Sequence, residues 1–486
     1  MSHCPQRSFG QHCFGGRVVL RGPSILQAKA RGWGHEGRLA ALFLALALAL
    51  GGGGSPAPLN ELVLELLAAA IALVWLLTPW GGPDWSRVPT AAWLIAALVA
   101  GVPLLQLIPL PPFVWHALPG RELERGALAL IGAQSSWRAW SLAPSRTLSA
   151  FLSLGPPLLL LLMTSALDPR GRMTLVRTMA MMALTTLVLG ALQLTTGEAS
   201  PVHFYGNTAS MLVGFQANHN STADVLLIAL MTGPILLRDL LERRIAAGNP
   251  GLLLGIAGAM IALLAFGVLL TASRMGILLL PIPFLASLWI LRPWIKVSWR
   301  TLAIGLGGAL SVAVLSFLLA RNNPVVATII ARFDFGQELR PQLWRDGLYV
   351  AQKYFPFGVG MGDFVPALIA DERLEVVWPS LPNRAHNDFL ELACEAGMLG
   401  IGVLSAISII LTKAVWRTFR ARPGQSFPLA IFAGAGLAVL ALHSLVDYPF
   451  RSMALACLGA VCAGLLLTPR PEGEAARYDS DPGETR

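Results

Sequence analysis

Apolar runs close to the length of a bilayer crossing recur along this chain, and no other feature constrains its fold so tightly. A helix needs about 20 mostly apolar residues to span the hydrocarbon of a membrane. Such windows fall at 39–54, 59–78, 91–108, 148–166, 173–195, 220–237, 252–271, 275–292, 301–319, 397–416, 428–446 and 452–468. The first is short and ends in Gly51–Gly54, which leaves eleven or twelve spans. The expected fold is an all-α polytopic integral membrane protein, with about 12 transmembrane helices and a long, partly helical outer loop. Small-residue stretches such as Gly305–Ser311 and Ala430–Ala441 suit close helix–helix approach.

Charge sets the expected orientation. Only 13% of the 486 residues are charged, about half the share usual in soluble domains. The net charge of +9 comes with no Lys/Arg-rich run interleaved with aromatics, so no nucleic-acid partner is expected. With the N-terminus inside, the cytoplasmic segments collect 23 of the 36 Lys and Arg residues, while the outside turns 51–58 and 196–217 carry none. That asymmetry predicts both termini in the cytoplasm. The organisation is then a basic cytoplasmic tail (1–38), transmembrane helices one to nine (39–319), a large outer loop (320–396), helices ten to twelve (397–468) and a polar cytoplasmic tail (469–486). Residues 1–38 make a poor cleavable signal, because their polar lead is too long; an over-long start is the alternative.

Cys4, Cys13, Cys394, Cys457 and Cys462 form no Cys-x-x-Cys pair and read as packing residues or idle thiols. Gly358-x-Gly360-x-Gly362 lacks the spacing of a dinucleotide fingerprint. The Asp479-Ser480-Asp481 triplet lies in the C-terminal tail, across the membrane from the long loop. No metal site and no cofactor are expected.

The long loop holds seven Lys/Arg and ten Asp/Glu, so anion binding there must come from particular arginines and not from a summed field. Arg340-Pro341 followed by Leu343, Trp344, Leu348, Ala351 and Phe355 predicts an amphipathic helix along the membrane surface, with Arg345 just over one turn in. Both arginines either snorkel at the interface or bind an anion. Pro356 and the three glycines predict a tight, close-packed turn.

Asp388-x-x-Glu391 ahead of an apolar run has the pattern of a capping box, which places a helix start at Asp388. His386 and Asn387 then precede a helix N-terminus, where backbone N–H groups favour anions. An imidazole there can take a proton from a sugar hydroxyl, although a lone loop histidine is also commonly solvated or capping. Arg274 lies between two apolar runs and must face protein, water, an anion or the interface. Asn218 and Asn220 open a span and offer polar groups at the same outer face. Asp447 and Arg451, four apart in the last outer turn, either pair with each other or help to bind sugar.

These residues resemble the O-antigen ligase and O-antigen polymerase family of bacterial inner-membrane proteins. The matching pieces are Ser273-Arg274-x-Gly276, Arg340-x-x-x-Trp344, Pro356-x-Gly358-x-Gly360-x-Gly362-x-Phe364 and His386-Asn387-Asp388-x-Leu390-Glu391-x-x-x-Glu395-x-Gly397-x-x-Gly400. Ser141-Leu142-x-Pro144 and His443-Ser-x-x-Asp447 also look like the family. The resemblance implies a metal-independent glycosyltransferase of cell-surface polysaccharide synthesis, working on the periplasmic side of the inner membrane. It implies a glycan donor on undecaprenyl pyrophosphate held by arginines at the positions of Arg274 and Arg340, and a loop histidine, His386, that deprotonates the acceptor hydroxyl. Lipid A-core, a second glycan or a protein are the acceptors it implies, the last making a protein O-oligosaccharyltransferase. The competing class is a transporter or flippase of lipid-linked glycans. That class predicts ionisable residues at mid-membrane in repeated halves, and the sequence shows no convincing repeat.

Overall fold

A computed structural model describes residues 25–53, 58–77, 85–196, 202–205, 211–242, 250–294, 340–372, 383–420 and 427–468. In chain order the helices begin with α1 (Ile25–Leu50), α2 (Pro58–Leu77), α3 (Thr90–Gln106), α4 (Pro112–Trp115) and α5 (Glu122–Leu130). Next come α6 (Pro144–Leu152), α7 (Gly155–Ala166), α8 (Pro169–Thr196), α9 (His219–Leu230), α10 (Thr232–Glu242) and α11 (Pro250–Leu270). The remainder are α12 (Arg274–Leu279), α13 (Pro281–Leu291), α14 (Arg340–Lys353), α15 (Phe364–Asp371), α16 (Asp388–Arg420), α17 (Phe427–His443) and α18 (Met453–Leu467). Among the described residues the only sheet is an antiparallel pair, β1 (Pro109–Leu110) with β2 (Arg138–Ala139).

Among the described residues, six segments are long and apolar enough to cross a membrane: Leu59–Leu77, Pro144–Ala166, Pro169–Thr196, Gly251–Leu270, Arg274–Leu291 and Asp388–Arg420. The helices Thr90–Gln106, Phe427–His443 and Met453–Leu467 are apolar but shorter. An all-α architecture of apolar helices is what the periodic runs predict. Several windows nevertheless break differently. The 148–166 window reaches back to Pro144 and divides before Gly155-Pro156-Pro157, and 275–292 divides at Leu280-Pro281. Proline lacks an N–H and crowds the preceding turn, so a continuous helix is interrupted there. The 220–237 window divides at Met231, between α9 and α10. At the N-terminal side, α1 extends back to Ile25, into the stretch assigned to the tail, and stops at Leu50 before the glycine run. The 301–319 window, residues 320–339 and 373–382 of the long loop, and the ends 1–24 and 469–486 lie outside the described residues.

Two of the hydrophobic cores among the described residues bear on the site. The larger joins α1, α2, α7, α8, α9, α17 and α18 through side chains such as Phe43, Leu160, Leu175, Ile228, Phe432 and Leu458. Leu66 of α2, and Ile256, Leu263 and Phe266 of α11, point outward instead, as helix faces in contact with hydrocarbon do. The smaller core joins α14, the glycine turn, α15 and the start of α16, through Val350, Tyr354, Val359, Phe364, Leu368, Ala385 and Cys394. It is this second core that positions the site.

Candidate active site

The turn after α14 is built on the start of α16. Gly397 interrupts α16 with φ 52° and ψ −139°, a conformation that strains any residue bearing a Cβ. The break frees carbonyls that a continuous helix would use internally. Those of Cys394 and Glu395 accept from Val359 N and Gly360 N, each at 2.9 Å, and Met398 N donates to Pro356 O at 2.9 Å. Gly358, Gly360 and Gly362 all have positive φ, and a Cβ on Gly358 would come within 2.6 Å of the Glu395 backbone. Positive φ favours glycine at all three positions, and at Gly358 the close approach of the α16 backbone requires it as well.

Charged residues of the same motif are buried behind this turn. Arg451 places Nη2 2.7 Å from Glu395 Oε2, with Nε 3.5 Å from Glu391 Oε1 and 3.7 Å from Asp388 Oδ1. Burial alone would favour a neutral Arg451, but the three carboxylates hold it charged and push its pKa up. Arg384 pairs with Glu391 at 3.0 Å, and Glu395 Oε1 accepts from Gly362 N. The outer loop before α6 latches onto the same unit: Ser141 Oγ and Ala143 N both donate to Asp363 Oδ2, at 2.8 and 2.9 Å. Burial pushes Asp363 up to about 7 despite those donors.

On this frame His386 is held in an unusual backbone state. Its φ is 49°, a left-handed conformation that costs a non-glycine residue on the order of 1–3 kcal/mol and persists only when the surroundings enforce it. They do so from both sides. Ala385 N donates to Glu391 Oε2, Trp344 Nε1 donates to Ala385 O, and Asp388 N donates to Ser444 O. The ring then meets Asp447, with Nδ1 3.2 Å from Oδ1, and lies edge-on to Tyr448 at 4.9 Å between centroids. His386 is 28% exposed and Asp447 only 4%. Burial alone would push Asp447 up; its bond to His386 and the charges of His386, His443 and Arg340 outweigh that and lower it to about 2. Asp447 is thus an ionised acceptor, which favours the His386 tautomer carrying its proton on Nδ1 and leaves Nε2 free as a base.

The residues singled out by sequence divide by geometry. Asn218 caps α9, accepting from Asn220 N at 2.9 Å, and its amide reaches toward Asp447; Asn220 Nδ2 donates to Asp447 Oδ2. Arg340, the first residue of α14, is near enough for its charge to act on Asp447 and His443. Arg274 opens α12 behind the cap of Ser273 and is half-buried. Its helix packs on α9, where Gly276 meets Ala223, so it belongs to the same end of the bundle. Arg345 is exposed on α14, next to the buried Asp346 and Gly347.

Two local expectations are corrected. The helix does start at Asp388, but the side chain that caps it is Asn387, whose Oδ1 accepts from Leu390 N at 3.0 Å while Nδ2 donates to Leu445 O. Asp388 instead accepts from Ser444 Oγ and Phe450 N. Nor do Asp447 and Arg451 pair: the turn between them sends Asp447 to His386 and Arg451 into the carboxylate cluster. Asp224, bonded to His443, lies outside the residues singled out by sequence, although an acidic residue inside the apolar run 220–237 is a signal for it. Tyr448 carried no such signal.

No curated protein matches the chain. Residues 259–405, from within α11 to the middle of α16, match the family model described as O-antigen ligase. That segment includes Arg274, Arg340, Arg345, His386 and Asn387 and stops short of Asp447. Over that segment the chain is similar to the O-antigen ligase family, and the match supports O-antigen ligase- or polymerase-type glycan processing by a helical membrane protein.

Proposed function

We propose that this protein is a metal-independent glycosyltransferase of the bacterial inner membrane that transfers or polymerises a glycan carried on undecaprenyl pyrophosphate, at the periplasmic face. The observation that carries the reading is half-exposed His386 bonded to buried, ionised Asp447, with Arg340 alongside. A pyrophosphate is a good leaving group, so the protein has two tasks: to hold its charge and to activate a hydroxyl. Arg274 and Arg340 hold the pyrophosphate through charge-assisted bonds, with Arg345 at the exposed rim. His386 Nε2 takes the proton of the acceptor hydroxyl as that oxygen bonds to the anomeric carbon. The bond from that carbon to the phosphate oxygen breaks, and its electron pair leaves on undecaprenyl pyrophosphate. Asp447 orients the ring and balances the imidazolium that forms, on the logic of a triad aspartate. Asn218 and Asn220 hold Asp447, and Asn387 holds the loop, within reach of the sugar.

The positive-inside bias supports both termini in the cytoplasm and the 340–396 unit outside. Purified wild type and His386→Ala are to be given a lipid-pyrophosphate glycan in EDTA with lipid A-core, a second lipid-linked glycan or a protein. Transfer that survives EDTA and collapses in the variant is expected, and the acceptor consumed separates ligase, polymerase and protein oligosaccharyltransferase. Transbilayer movement of the donor without transfer to any acceptor would instead identify a transporter.

A further inference from the structure

A second His–Asp pair stands directly behind the first. His443, the last residue of α17, places Nδ1 2.7 Å from Asp224 Oδ1 on α9, and the side chains are 1% and 2% exposed. Asn220 precedes Asp224 by four residues on α9, and Asp447 follows His443 by four. Residues four apart on a helix lie one above the other, and the turn keeps the same step because Asp447 N donates to His443 O at 2.9 Å. So α9 meets residues 443–447 through two rungs of equal spacing, Asn220 to Asp447 and Asp224 to His443. A carboxylate buried in α9 needs a partner simply to be tolerated. Satisfying it does not require that the partner also act on the site, yet the charge of His443 acts on Asp447 as well as on Asp224.

We propose that the Asp224–His443 pair is a positioning device for the active site, fixing Asp447 beneath His386 and balancing the Asp447 carboxylate. The inference rests on the glycosyl-transfer reading. Its charged surroundings are few. Asp447 and Arg340 face the pair. Asp388 lies one link away through Ser444, Arg451 is turned into the carboxylates of α16, and Arg274 opens α12, which packs on α17. On α10, Arg238 pairs with Glu242 and Asp239 with Arg177.

With His443 removed, Asp447 loses the rung that fixes its place, and His386 loses the orientation that Asp447 gives it. Asp224→Asn acts on the same rung, because His443 loses the carboxylate that holds its ring. The test compares transfer by full-length wild type, His443→Gln, Asp224→Asn and the uncharged double variant His443→Gln/Asp224→Asn, in lipid nanodiscs across pH. Expected for each is a fall in kcat of about 10–100-fold, the scale of misplaced catalytic geometry, with KM for the donor nearly unchanged. Should a single variant fail to fold, the double variant decides, since Gln and Asn can hydrogen-bond without charge. Wild-type kcat in a folded variant, or a rise in KM with kcat unchanged, while His386→Ala is inactive, would overturn the proposal. A wild type that transfers to no acceptor would sink the glycosyl-transfer reading itself and the proposal with it.

Discussion

Two His–Asp pairs among the described residues are built alike and exposed very differently. In both, a histidine Nδ1 meets an aspartate Oδ1, at 3.2 Å for His386–Asp447 and 2.7 Å for His443–Asp224. His386 keeps 28% of its side chain open to solvent, and His443 keeps 1%. The chemistry of an imidazole–carboxylate pair is therefore not what distinguishes a base from a brace. What distinguishes them is whether the second ring nitrogen can reach a reactant. The open pair sits on a strained residue clamped by Ala385, Trp344 and Asp388. The closed pair sits on helix ends and joins α17 to α9.

The sharpest way to break that comparison is to remove each ring in turn. His386→Ala is expected to lower kcat by about 10²–10⁴-fold, the usual contribution of a positioned base, with little change in thermal stability. Asp447→Asn should fall in the same range, because an amide at this place no longer selects the Nδ1–H tautomer. Both are checked by steady-state transfer assays alongside melting curves in detergent. If His386→Ala retains wild-type turnover, the open pair is no base and the distinction between the two pairs disappears.

The carboxylates around Arg451 test the opposite case, a charged cluster whose role is architectural. Arg451→Met leaves Glu395 and Asp388 buried without their cation and Glu391 with Arg384 alone. Breaking a buried ion pair from one side costs about 3–5 kcal/mol, so a lower melting temperature and poor yield are expected. A variant with wild-type stability would show that water reaches the cluster. Gly397→Ala has a smaller expected cost, about 1–3 kcal/mol for a Cβ at positive φ, with a further clash because that carbon would lie 2.1 Å from Pro356 O. The measured quantity is again the melting temperature.

What could be read from sequence followed from how local each signal was. Apolar length identifies membrane helices because a bilayer demands it within one segment. Pro281 and Pro156 shift the boundaries for equally local reasons. The glycine turn and the helix start at Asp388 were legible for the same reason. Partner choice was not. That Asp447 turns to His386 and Arg451 to Glu395 depends on a chain reversal at Tyr448-Pro449, which sequence spacing renders as an i,i+4 pair. The Asn218 and Asn220 amides likewise face Asp447 only because α9 docks against a turn more than two hundred residues away.

Two aspartates carry the comparison down to its smallest expected effect. Asp447 and Asp363 are both buried, but positive neighbours lower the first to about 2, while the second, given mainly neutral donors, is pushed up to about 7. Asp363 therefore binds a proton in the folded protein between about pH 4 and 7 that the unfolded chain has released. Proton uptake by the folded state means that this group contributes stability at low pH and loses that contribution as pH rises through about 7. Replacing it by Asn removes the titration while keeping an oxygen to accept from Ser141 and Ala143. Wild type should then lose stability relative to Asp363→Asn between pH 5 and 8, by on the order of 1 kcal/mol, read as a difference of melting temperatures at each pH. A difference that does not change with pH would mean that the carboxylate is already ionised in the folded protein. The latch between the Ser141 loop and the glycine turn would then be charged, like the contact that Asp447 makes with His386.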